Sequence, residues 1–296
     1  MGSASGTTSG TTRVVARQIR YNTLVIVRPF AAAMVGIAMC AQVHAQWLHY
    51  PTASLPMTPS GLPNLGAPAP RTADGKPDFS GIWEAENTLP EPEGAGGNDT
   101  DLRASAQLVN IAEGLPGGLP YQPWAADLVK VRSAGIGKDW PHSRCLPLGV
   151  PEIHTLPEFK KIVQAPGLLL ILHEFNASYR QIFTDGRPLP IDPNPSWNGY
   201  SSGKWEGDTL VVESAGFRDG LWLDLNGDPM TDAAKVTERF RRLNYGNMEI
   251  ELTVDDPKAY SKPWTIKVKQ FIVLNTELLD YMCMENERDT SHMVAK

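Results

Sequence analysis

The sequence predicts a mainly β protein. The expected form is an antiparallel meander of about ten strands, as a curved sheet or a barrel, with two short helices before the main sheet. Three observations predict it. From Phe159 onward, apolar runs alternate with turn signals such as Asp185-Gly186, Gly207-Asp208 and Asn244–Asn247. Gly and Pro together make up 51 of 296 residues, above the usual share, which suits many short elements. A sheet of that many strands has long edges, and curling or closing removes them.

Residues 1–45 read as a secretory signal peptide. They hold Arg13, Arg17, Arg20 and Arg28 and no Asp or Glu. An apolar run from Phe30 to Cys40 follows, then Val43-His44-Ala45, with small residues at the −3 and −1 positions of a cut before Gln46. The run is shorter than the ~20 residues a membrane span needs, so no stable span is expected after processing. The expected location is the periplasm or the exterior. Without the leader the formal charge moves from −6 to −10. Nucleic-acid binders need a basic face, so nucleic acid is not an expected partner.

Residues 46–77 form a Pro-rich extended lead with a short repeat, Thr58–Leu65 and Thr72–Phe79. Each copy places Gly and Pro at turn positions. Residues 78–296 read as one barrel-like domain with a partly helical insertion at about 86–157. Its first strand is 78–85. An acidic loop covers 86–99, helices are expected at 100–113 and 123–132, and 134–157 is irregular. The later strands are expected at Phe159–Gln164, Leu168–Phe175, Tyr179–Thr184, Tyr200–Glu206, Thr209–Ser214, Lys235–Leu243, Met248–Asp255, Trp264–Val273 and Glu277–Cys283. Cys145 and Cys283, the two cysteines beyond the leader, invite one disulfide in an oxidising compartment; two separate buried thiols are the other reading.

Alternation along a strand assigns faces. Val236, Glu238 and Phe240 share one face, so Glu238 sits between two apolar residues on the expected inner side. An inward carboxylate is either a general acid–base group or half of a buried ion pair. Arg180 is a candidate partner. Tyr179, Arg180 and His173 complete the candidate catalytic set. His173 ends a strand whose two faces are apolar, so that strand is expected to be covered on both sides. Trp205, Tyr200, Trp222 and Phe240 are the candidate ligand-binding aromatics, suited to a small apolar or aromatic molecule.

Other chemistry is weakly marked. Gly199-Tyr200-Ser201-Ser202-Gly203 fits G-x-S-x-G, but a nucleophile elbow needs strand, turn and helix, and this segment runs into a hairpin. His292 is the base that chain order would offer Ser201. No His pair or Cys pair has metal-ligand spacing, although His142, His154 and His173 could converge in the fold. No Gly-rich phosphate loop precedes a helix. No cofactor and no metal are expected.

Several segments carry a resemblance: Asp74–Trp83 (DGKPDFSGIW), Cys145–Pro151, Tyr179–Pro188, Gly203–Val212 (GKWEGDTLVV), Thr237–Phe240, Asp255–Trp264 (DDPKAYSKPW), and Tyr281–Cys283 with Glu285-Asn286. Together they resemble a group of secreted, largely uncharacterised bacterial proteins. The resemblance implies an exported β-rich domain and no particular activity. Relatives often carry His where Tyr200 stands and near Thr231-Asp232. Gly81-Ile82-Trp83 is similar to the G-x-W that opens lipocalin barrels. The expected function is binding of a small apolar or aromatic molecule, with acid–base chemistry on it (isomerisation, elimination or hydrolysis). A non-catalytic carrier or sensor, and a metal-dependent or serine hydrolase, are the alternatives.

Overall fold

The computed structural model describes residues 50–86, 105–135, 137–283 and 285. The expected leader, most of the 86–99 loop, the start of the 100–113 helix and His292 lie outside them. The described chain is a closed barrel. Its strands are β1 (Gly81–Ala85), β2 (Lys160–Ala165), β3 (Leu168–His173), β4 (Ser178–Phe183), β5 (Tyr200–Glu206), β6 (Thr209–Ala215), β9 (Lys235–Arg242), β10 (Asn247–Asp255) and β11 (Trp264–Val273). Around the ring they run β1-β11-β10-β9-β6-β5-β4-β3-β2, and β2 returns to β1. β7 (Leu221–Trp222) and β8 (Pro229–Met230) form a separate small hairpin. Two helices, α1 (Ala106–Val109) and α2 (Pro123–Ala134), precede β2. Pro123 sits at the start of α2, where its missing N–H has no intrahelical partner to lose. Among the described residues no helix is long and apolar enough to cross a membrane.

The period-2 pattern sets the core. The inward positions of β9, Val236, Glu238 and Phe240, lie opposite Val254, Leu252 and Ile250 of β10. They also lie opposite Ser214, Val212 and Leu210 of β6. All nine are buried. Burying such apolar side chains contributes about 1.5–3 kcal/mol each relative to exposure. Just after the lead, Phe79 is fully buried, stacked on Trp205 at 5.6 Å and edge-on to Phe240 at 6.1 Å.

The repeat of the lead is structural. Thr58 and Thr72 each donate a backbone N–H to the carbonyl four residues on, and Gly61 and Gly75 each donate back to that Thr. Both glycines sit near φ +80° with open space around a notional Cβ. The left-handed backbone, not crowding, therefore selects glycine there.

Three expectations need correction. Glu277–Cys283 is no barrel strand. Both edges of β11 are taken, by β10 and by β1, so this segment lies across the β3–β4 turn, with Asn176 N–H donating to the Tyr281 carbonyl at 2.6 Å. The ring is not wholly antiparallel, because β4 and β5 pair in parallel. And β3 ends at His173, with the outward Leu168, Leu170 and Leu172 half-buried, so the strand is not covered on both faces.

Cys145 and Cys283 form a disulfide across a sequence separation of 138 residues. In the chain-entropy description a loop of that size is worth roughly 4–5 kcal/mol as an upper figure. Reduction is expected to add 2 Da to the intact mass, and Cys145→Ser with Cys283→Ser to lower Tm by roughly 5–15 °C. An unchanged mass or an unchanged melting curve contradicts a bridge that holds the C-terminal segment down.

Candidate functional site

The parallel pairing of β4 with β5 shapes the site. Parallel neighbours cannot be joined by a two-residue hairpin and need a crossover of a dozen or more residues. Here the link is residues 184–199, with prolines at 188, 190, 193 and 195. The seam joins only Ile182↔Ser201 and Phe183↔Ser202 among the described residues. Ser178–Arg180 therefore project beyond the start of β5. At that point a cleft of about 860 Å³ opens, within the range of small-molecule sites. Trp197, Tyr200, Tyr179, Phe183 and the link prolines supply apolar walls. Asn176, Asn198, Gln181 and Arg187 supply polar edges. The Arg187 guanidinium lies 3.9 Å from the Phe183 ring centroid.

Glycine is required at one corner of this cleft. Gly199 has φ +60°, and a Cβ there would stand 2.8 Å from the Ala215 carbonyl oxygen and 2.9 Å from the Phe217 ring. Gly203 has close neighbours too, with Ile182, Leu210 and Thr184 each 3.2 Å from a notional Cβ. Close packing thus explains both glycines of the G-x-S-x-G match. The backbone remains β-strand from Tyr200 through Glu206, so it has no elbow geometry.

Arg180 and Ser201 line the cleft and also belong to a buried network behind it. Arg180 Nη1 donates to Glu238 Oε1 at 2.9 Å, and Nη2 donates to Glu238 Oε2. Nε and Nη2 donate to Ser201 Oγ at 3.3 and 3.1 Å, and Nη2 to Ser214 Oγ at 3.0 Å. Ser201 and Ser214 share a hydrogen bond of 2.8 Å. These residues come from β4, β5, β6 and β9, so side chains span the region where the backbone ladder is shortest.

The second partner of Glu238 is His154, from a single 3-10 turn at Glu152–His154 packed into the barrel. Its Nε2 lies 2.7 Å from Glu238 Oε1. A carboxylate only accepts, so Nε2 carries the proton. Gln270 Nε2 donates to the His154 carbonyl at 2.9 Å and anchors the turn to β11. Burial pushes the Glu238 carboxyl up, but the Arg180 charge and the hydrogen bonds from Arg180 and His154 outweigh it and hold the group at about 2. Burial pushes His154 down, against the pull of Glu238, and keeps it neutral. A carboxylate held this low, with both oxygens occupied, is a fixed anion at neutral pH.

The expected catalytic set is therefore divided. Glu238 and Arg180 are in contact. Tyr179 faces the opposite way, 60% exposed on the cleft wall. His173 is buried, with Nδ1 accepting the Phe175 N–H at 3.2 Å. The expected aromatic set is scattered as well. Tyr200 lines the cleft, whereas Trp205 lies at the far end of the same strand, stacked on Phe79. Phe240 is fully buried in the lumen, and Trp222 sits on the separate hairpin under Arg132, 4.4 Å away. Alternation puts Tyr200 and Trp205 on opposite faces and about 16 Å apart, at 3.3 Å per residue.

Asp208, Asp219 and Asp224 read from sequence as turn formers. Asp208 pairs with Arg71 of the lead at 2.6 Å. Asp224 is buried and accepts the N–H groups of Ile111, Gly227 and Asp228. Burial and the neighbouring Asp228 push its carboxyl up. Among the described residues no three His, Cys, Asp or Glu side chains are grouped closely enough to hold a metal ion. The sequence marks His154 only as a possible metal ligand, and it does not mark Lys160. Lys160 was legible, because it shares the inward parity of Ile162. His154 lies in an irregular segment with no period to read.

Neither a scan against protein-family models nor a search of curated proteins returns a match for this chain.

If the buried pair is a brace across the seam, Arg180→Met alone is expected to cost about 3–5 kcal/mol, because Glu238 is left charged and unpaired. The double variant Arg180→Met, Glu238→Leu is expected to recover most of that loss in urea melts. Glu238 titrates below its ordinary 4.5 in the fold, so its contribution is fully present above that value and is lost as pH falls through about 2. The double variant is expected to flatten stability across that window. Additive losses in the double variant, or an unchanged acid profile, contradict the brace.

Proposed function

We propose that this is an exported binding protein for a small, planar, largely apolar molecule, held in the cleft at the β4–β5 seam. The observation that carries the reading is the composition of that cleft. Aromatic and proline walls surround it, and the buried Arg180–Ser201 pair borders it. Large apolar area with a few placed polar atoms is the usual makeup of a small-molecule site. Trp197 and Tyr200 come from the end of the crossover and the start of β5, while Tyr179 and Phe183 come from β4. A ligand seated there bridges the two sides of the seam.

In this reading Arg180 and Glu238 are positioning residues. They fix Ser201 and the β4 backbone behind the ligand, while Tyr179 and Tyr200 contact it. The disulfide supports the proposed export, since such bonds persist in oxidising compartments. Ser201 Oγ accepts from the Arg180 guanidinium and shares a hydrogen bond with Ser214, an anchored arrangement that supports binding over serine-based hydrolysis.

Denaturing extraction of purified protein followed by small-molecule mass spectrometry is expected to release an aromatic or polycyclic compound. Binding of that compound, followed through Trp fluorescence, should weaken at least tenfold in Tyr179→Ala and in Trp197→Ala. It should be unchanged in Trp124→Ala, which alters an exposed residue of α2. Equal affinity in all three variants would place the ligand elsewhere.

A further inference from the structure

One rung of the barrel carries three polar side-chain atoms with no hydrogen-bond partner among the described residues. Ser178 on β4 lies opposite His173 on β3, and His173 lies opposite Lys160 on β2. All three share the inward parity of Arg180, Ile171 and Ile162. The unpartnered atoms are Ser178 Oγ, His173 Nε2 and Lys160 Nζ. Lys160 is fully buried and His173 nearly so. Ser178 lines the cleft, and Lys160 stands two strands away on the same rung, with His173 between them. Directly opposed side chains on neighbouring strands have Cβ atoms about 4.5–5.5 Å apart, close enough for both to touch one small group.

A buried lysine without an ion-pair contact is unusual, because desolvation disfavours its charge. The charged and titratable groups near it are Glu84 of β1, Glu158 just before β2, His173 of β3 and His154 of the 3-10 turn. Burial pushes the Lys160 amine down to about 7, against the pull of Glu84 and Glu158. A neutral amine is a nucleophile; an ammonium is not. The neighbouring imidazole is also set in one form. His173 Nδ1 accepts the Phe175 N–H, so the proton of the neutral ring lies on Nε2. Burial and the nearby Lys160, His142 and His154 keep that ring uncharged. The result is a neutral N–H donor beside a neutral amine.

We propose that Lys160 is a reactive amine that condenses with a small aldehyde or ketone entering from the cleft, with His173 Nε2–H holding the carbonyl oxygen. This rests on the cleft being the ligand's entrance, and it names a carbonyl group as the feature recognised there. In the first step the Nζ lone pair forms a C–N bond to the carbonyl carbon. One N–H proton moves to the carbonyl oxygen, giving a carbinolamine. In the second step the C–O bond breaks, that oxygen leaves as water with the remaining N–H proton, and the C=N bond forms. The balance needs no oxidant and no reductant. His173 lies where the oxygen develops negative charge, and a fixed N–H donor is most useful at that point.

The test uses acetaldehyde and sodium cyanoborohydride at pH 7.5 on the folded protein, with peptide mapping of each lysine. Reduction of the imine leaves an ethylated lysine. Lys160 should be modified at least tenfold faster than Lys161, its half-exposed neighbour. His173→Gln should slow modification of Lys160 about tenfold and leave the exposed lysines unaffected. Ser178→Trp, which fills the entrance, should do the same. Circular dichroism confirms that each variant is folded. Lys160 remaining unmodified while exposed lysines react overturns the proposal, as does an unchanged rate in both variants. Unmodified Lys160 with cleft binding intact sinks the reactive amine alone. Intact Lys160 chemistry with cleft binding unaffected by Tyr179→Ala and Trp197→Ala sinks the binding reading alone.

Discussion

A closed ring of nine strands cannot alternate direction all the way round. Each antiparallel contact reverses the strand direction, and a closed circuit needs an even number of reversals. Nine contacts therefore require a parallel one, and in this barrel it falls between β4 and β5. The other features of the site follow from that constraint. A parallel neighbour needs a long connection, which the proline-rich 184–199 link supplies. The two strands share few rungs, so their ends diverge and a cleft opens between them. The residues left beyond the start of β5 include Ser178 and Arg180, which begin the two polar arrays that run inward.

The seam also explains the placement of a buried ion pair. Removing a carboxylate and a guanidinium from water is expensive, and a hydrophobic pair of similar volume is often as stable. Here Arg180 does more than neutralise Glu238. Its fork reaches residues of β5, β6 and β9 at once, and it does so beside the short β4–β5 pairing. Bidentate geometry suits this task, because it fixes orientation as well as distance. His154 completes the carboxylate's partners from a segment packed into the lumen, and Gln270 ties that segment to the opposite wall. The network thus joins the seam, the inserted turn and the last strand in one set of directed contacts.

Much of the barrel was legible from alternation. The nine ring strands and the inward face of β9 follow from a period of two, and Arg180 is legible as a candidate partner of Glu238. The disulfide followed from cysteine count. The parallel seam was not read, although a 16-residue link with four prolines is too long for a hairpin and was itself the signal. The residues of Glu277–Cys283 suit a tenth strand. Ring closure by β1 removed the edge it would have used, and no local pattern reports that. The aromatic candidates failed as a set for a similar reason: composition counts aromatics, but only register decides which end of a strand each one occupies. Lys160 is legible only through its parity with Ile162, because the Lys160-Lys161 pair otherwise reads as solvated charge.

The proposed ligand site is the β4–β5 seam. The most direct test is amide hydrogen exchange with and without a saturating planar probe, 8-anilinonaphthalene-1-sulfonate. Added protection is expected only on the two sides of the seam, residues 176–183 and 196–202, with β9, β10 and β11 unchanged. Protection centred on the opposite end, around residues 72–79 and Trp205, or no localised protection at all, would contradict it.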